Sequence, residues 1–143
     1  MAYELTELAE RDIKEILRET YKMFGDHQLI AYTNIIDSGL TRVGDNPERG
    51  GSIDRPELGH GIRLFHLEQA AGRSGGAAHC LYFTTGATRT AVIGTIILRV
   101  LWEGMEPRHK VIRSFKRHVK TITDQHVAET SKEDVPSDPF KIR

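Results

Sequence analysis

Residues 92–120, VIGTIILRVLWEGMEPRHKVIRSFKRHVK, decide how the chain is built. The first ten positions form a near-continuous apolar run, interrupted by Gly94 and closed by Arg99. Such a run reads as a central strand covered on both faces. Past Pro107 the pattern changes to helical period, with Ile112, Phe115, Val119 and Ile122 on one face. The opposite face carries Lys110, Arg113, Arg117 and Lys120. Between Arg108 and Lys120 there are six Lys/Arg and no acid. An idle surface helix usually mixes both signs to gain i,i+4 pairs. A helix of one sign, following a buried strand, reads as a surface offered to another molecule.

Working back toward the N-terminus, Tyr3–Leu5 is a short extended opening. Thr6 is placed to cap a helix over Glu7–Phe24, with Glu7 and Glu10 favourably in its first turn. Ala9, Ile13, Ile16, Leu17, Thr20 and Phe24 make its apolar stripe. Gly25 ends it, and Asp26 opens a second helix whose Leu29, Tyr32, Ile36, Leu40 and Val43 share a face. So short a link predicts an antiparallel helix pair. Gly44–Gly61 is a turn-rich connector with two prolines and five glycines. Two further strands follow, IRLFHLE at 62–68 and HCLYFT at 79–84, separated by the Gly/Ala-rich stretch Gln69–Ala78. The expected fold is therefore α+β: an N-terminal helical hairpin packed on a small antiparallel sheet, with a C-terminal helix. Residues 1–123 are expected to form the domain and 124–143 a polar C-terminal tail.

Composition bounds the function. The chain has 143 residues, the length of one domain. Its twenty basic and twenty acidic residues cancel, which disfavours a uniformly basic nucleic-acid binder and leaves room for a local basic patch. No apolar run approaches the roughly 20 residues that span a bilayer. The acidic N-terminus lacks a signal-peptide pattern and Cys80 is alone, so a cytoplasmic setting without membrane contact is expected. Cys80 sits among apolar neighbours and reads as a small buried hydrophobe. HGIRLFH has no ligand geometry for a metal, and neither GDNPERGG nor GRSGG is a phosphate cradle, so no cofactor is expected.

In order along the chain, YELTELAERDIKEILRETYKMFG, RVGDNPERG, ELGHGIRLFHL, HCLYF and IILRVLWEGMEPRHKV together resemble the RelE/ParE superfamily of type II toxins. The resemblance covers roughly residues 2–113 and is closer to the ParE branch. Trp102 stands where that family usually has histidine, and Glu106 where it usually has aspartate. The resemblance implies a growth-inhibiting toxin that binds DNA gyrase without hydrolytic chemistry of its own. It also implies a cognate antitoxin, of ribbon-helix-helix type with an acidic wrapping segment, through which most DNA contact is made. The alternatives are a RelE-like ribosome-dependent mRNA endoribonuclease and a non-toxic interaction module. Catalysis would draw on Arg63, Arg99 and Arg55, with His60, His66 or His79 to move protons. Acids in ERGGSIDRPELGHG offset these cations, and Trp102 removes an imidazole from the strand exit. The residues expected at a target- or antitoxin-binding surface are Arg63, Arg99, Trp102, Lys110, Arg113, Arg117 and Lys120, with no catalytic residue and no metal. Arg99 has a structural alternative, an ion pair with Glu103 or Glu57.

Overall fold

The computed structural model describes residues 3–134. Strand β1 (Tyr3–Leu5) leads through Thr6 into helix α1 (Glu7–Phe24), and α2 (Asp26–Asp45) follows after Gly25. Then come β2 (Ser52–Asp54), a 3-10 turn (Pro56–Leu58), β3 (Arg63–His66), a short α3 (Glu68–Ala71), β4 (His79–Ala87), β5 (Ile93–Trp102) and α4 (Arg108–Asp134).

The strands form one five-stranded sheet in the order β1-β5-β4-β3-β2. It is mixed: β1 runs parallel to β5, while the other three pairings are antiparallel. The small antiparallel sheet under an N-terminal hairpin, expected from the sequence, is thereby overturned. Tyr3–Leu5 pairs with Thr95–Ile97, and Ser52–Asp54, inside the glycine-rich connector, pairs with Arg63–Phe65. Both are edge strands of three residues: β1 is the extended opening expected at Tyr3–Leu5, while β2 is too short to announce itself by alternation.

Two cores lie on opposite faces of the sheet. On one, Ala9 and Ile16 of α1 and Tyr32, Ile36, Leu40 and Val43 of α2 pack against Phe65, Leu81, Phe83, Ile97 and Val100. On the other, Val111 and Phe115 of α4 join Leu58, Ile62, Leu64, Cys80, Tyr82, Ile96, Leu98 and Leu101. The final helix thus covers the face that α1 and α2 leave bare. β5, between two neighbours and under helices on both sides, is the central strand its hydrophobicity predicts.

The local signals explain the helix ends. Thr6 Oγ1 accepts the Ala9 N–H at 3.1 Å, capping α1. Gly25 has φ +86°, and its N–H bonds to the Tyr21 carbonyl, so the chain stops and turns within one residue. α4 begins at a carboxylate cap, with Glu106 Oε1 accepting the Arg108 N–H at 2.9 Å. It runs unbroken past residue 123 to Asp134, so the first part of the expected tail is helical; residues 135–143 lie outside the described residues.

The buried face of α4 is offset from the one periodicity suggests. Val111 and Ser114 are buried and Val119 is 46% exposed. Ser114 is drawn inward because its hydroxyl donates to the Leu98 carbonyl at 2.7 Å. A polar residue satisfied in this way counts as core although no hydropathy pattern reveals it.

The turn between β4 and β5 holds Ala91 at φ 68°, in the left-handed region that penalises a Cβ. Ala91→Gly is expected to raise stability by about 0.5–1 kcal/mol in urea unfolding, the relief of strain exceeding the added chain entropy.

Candidate partner-binding site

β5 is longer than β1, so its outer edge continues past the last strand pairing at Ile97. The groups left over there are met by side chains. The Leu98 carbonyl accepts from the hydroxyls of both Thr6, at 3.0 Å, and Ser114. The Val100 N–H donates to Asp12 Oδ2 at 2.9 Å. The same carboxylate takes Arg99 in a two-pronged grip, Nε to Oδ2 at 2.7 Å and Nη2 to Oδ1 at 2.8 Å. A bulge permits this geometry: Tyr82 faces Arg99 while Phe83 faces Ile97, so Leu98 is one residue too many. Such a bulge re-aims the side chains that follow it. Arg99 therefore pairs with Asp12 on α1, and not with Glu103 or Glu57.

Beside this pair opens a groove of about 380 Å³ between the C-terminal half of α1 and the exit of β5. Ile16, Val100 and Leu101 line it from the core side, and Met23, Phe24, Trp102 and Met105 stand around it. Phe24 is 65% exposed, Met23 69%, Trp102 53% and Met105 38%. Four large apolar side chains left in water around one depression mark a place where another chain can be covered. Phe24, assigned by periodicity to the buried stripe of α1, belongs instead to this rim, because α1 continues beyond the sheet it packs on. Trp102 lies over Gly104, where a methyl group would run into the indole ring. The glycine of RVLWEGM gives that ring its place.

The seven expected surface residues divide accordingly. Arg99, Trp102 and Lys110 meet at the groove. Arg117 lines a second depression of about 410 Å³ with Thr6, Arg89 and His118, and its guanidinium pairs with Glu7 at 3.1 Å. Lys120 pairs with Asp124 at 3.2 Å on the solvent side, and Arg113 is exposed. Arg63 stands apart. Its Nε and Nη2 donate to Ser52 Oγ and the Ser52 carbonyl, at 2.7 and 3.1 Å, tying β2 to β3. Arg55, the remaining catalytic candidate, is paired with Glu57. Sequence reasoning missed Asp12, Met23 and Met105. Only the adjacency of Met23 and Phe24 to the helix-ending Gly25 hinted at an exposed apolar end.

Two of the three candidate histidines are engaged as well, while His60 is exposed. His66 Nε2 contacts Glu103 Oε1 at 2.6 Å. His79, at the groove wall, has its Nδ1 2.6 Å from the Tyr32 hydroxyl, which itself accepts the Ala78 N–H at 3.1 Å. The phenol and the imidazole share one hydrogen bond, the phenol donating when the ring carries its proton on Nε2. Burial lowers the His79 pKa, opposed by the charge of Glu103. Burial also pushes the Cys80 thiol up to about 11, so it is no nucleophile at neutral pH. No group of three or more His, Cys, Asp or Glu among the described residues is arranged to hold a metal. No helix among them is long and apolar enough to cross a membrane. No protein-family model matches this sequence, and no curated protein is significantly similar to it.

Two outcomes are expected. Asp12→Ala leaves a largely buried arginine without its counter-ion and the Val100 N–H without an acceptor, a loss of about 3 kcal/mol in urea unfolding. Arg99→Leu added to it should recover part of that loss. For His79, whose folded pKa lies below its ordinary 6.5, the unfolded chain takes up the proton first. The neutral ring therefore contributes fully above that value, and its contribution is lost as pH falls through 6.5 toward the folded pKa. Thermal melts from pH 7.5 to 5.5 should show a falling Tm, with a shallower slope in His79→Gln.

Proposed function

We propose that this chain is the toxin of a type II toxin–antitoxin module, acting on DNA gyrase by binding and silenced by a cognate antitoxin whose wrapping segment occupies the groove at Trp102. The observation that carries the reading is the ring of exposed apolar side chains, Met23, Phe24, Trp102 and Met105, beside an arginine that is already neutralised. Arg63, Arg55 and Arg99 are all held by partners within the domain. Stabilising a transferring phosphoryl group takes cations free to meet it, which favours binding over strand cleavage. The order of sequence motifs supplies the choice of gyrase.

The antitoxin is gripped chiefly by apolar contact. With Arg63 and Arg99 neutralised internally, Lys110 shares the groove lining with Glu15 and Glu19, so charge adds little to the grip. A toxin silenced this way is active only when the groove is empty.

Brief expression without an antitoxin should produce filamentous cells, a DNA-damage response and altered plasmid supercoiling, with transcripts intact. Transcripts cut on translating ribosomes, with supercoiling unchanged, would overturn the gyrase reading in favour of endoribonuclease; normal growth would leave an interaction module only. Because Trp102 is the sole tryptophan, antitoxin binding should shift its fluorescence to the blue. Trp102→Ala should weaken the complex about thirty-fold, the effect of removing a central anchor worth about 2 kcal/mol.

A further inference from the structure

The groove accounts for Lys110 but leaves the solvent face of α4 unexplained. On that helix Val111, Ser114 and Phe115 face the sheet. At about 100° per residue, positions 113, 116 and 120 fall within about 60° of one another on the opposite side. Arg113 and Lys116 are exposed and have no ion pair among the described residues. Lys120 is tied to Asp124, but both side chains are over 60% exposed, at 77% and 65%. A pair so exposed contributes little and opens readily. Arg117, which sequence periodicity places on this face, is turned aside to Glu7, and Lys116 stands in the line instead.

We propose that Arg113, Lys116 and Lys120 form a contact line for the phosphate backbone of duplex DNA, made by this chain itself and independent of the nucleotide sequence. The three cations span about 10 Å of helix, close to the axial rise of three nucleotide steps of one strand. No aromatic side chain lies among them, and without a stacking platform there is little to hold single strands. The deep, narrow major groove of duplex RNA excludes a helix, whereas that of B-form DNA admits one. The chain as a whole is uncharged, so the attraction is confined to this line and the binding is weak and salt-dependent. The inference stands apart from the toxin reading: a non-toxic chain can show it, and a toxic one can lack it.

Fluorescence anisotropy of a labelled random-sequence 24-base-pair DNA with the full chain, titrated in KCl, is the test. Three neutralised phosphates give a slope of log K against log salt of about −2.7, or about forty-fold weaker binding at 200 mM than at 50 mM. Arg113→Gln, Lys116→Gln and Lys120→Gln should each reduce the slope by about 0.9, and all three together should abolish binding. Lys14→Gln, an exposed lysine on α1, should change nothing. All three positions are exposed, so circular dichroism of the variants should match the parent. No detectable binding at 50 mM, a slope unmoved by the triple variant, or tighter binding to duplex RNA, to single strands or to polyglutamate would each overturn the proposal.

Discussion

A strand that outruns its neighbour must find other partners for its backbone, and β5 does so at a single place. Where β1 stops, Thr6, Asp12 and Ser114 take over the ladder, bonding the Leu98 carbonyl and the Val100 N–H. Buried backbone groups without partners cost roughly 1–3 kcal/mol each, so this substitution is obligatory. It also fixes how three elements meet. Thr6 begins α1, Asp12 lies in its second turn, and Ser114 comes from α4. The helices on the two faces of the sheet are thereby located against the same few atoms of β5. The bulge at Leu98 belongs to the same solution, since it aims Arg99 at the carboxylate that finishes the edge.

The groove inherits its character from that arrangement. Asp12 uses its charge on Arg99 and on a backbone N–H, so the most prominent arginine near the opening is structural. What remains at the mouth is apolar surface from the end of α1 and from the Trp102–Met105 turn, edged by Lys110 and by Glu15 and Glu19 of α1. Positive charge instead gathers on the outer side of α4, away from the opening. Apolar contact and charge are thus separated in space, one suited to holding a peptide and the other to meeting a polyanion.

What the sequence discloses is local. The extent of α1, its cap at Thr6 and its stop at Gly25 all follow from neighbouring residues, and the structure has them there. The strand expected at 62–68 is also present, though it ends at His66 and Glu68 opens α3; Ile62 and Leu64 go to one core and Phe65 and Leu67 to the other. Long-range partners were not legible. Nothing near Arg99 indicates an acid 87 positions earlier, and the nearer Glu103 turns out to serve His66. β2 escaped because three residues among glycines show no period. The cationic face of α4 was recognisable as a property of the helix, but which cations stay free depended on Glu7, on another element. Lys116 replaced Arg117 for that reason alone.

The pairing of residues 3–5 with 95–97 has a bearing on how the chain is made. As the polypeptide leaves the ribosome, α1 and α2 emerge first, with the apolar sides they will later bury still bare. The central strand they rest on begins about 50 residues after α2 ends, a delay of roughly 2–10 s at ordinary rates of translation. During that interval the nascent chain offers two amphipathic helices and, from β3 and β4, only part of the sheet that receives them. Any chaperone or partner that acts before the last strand appears meets a surface that the finished protein hides.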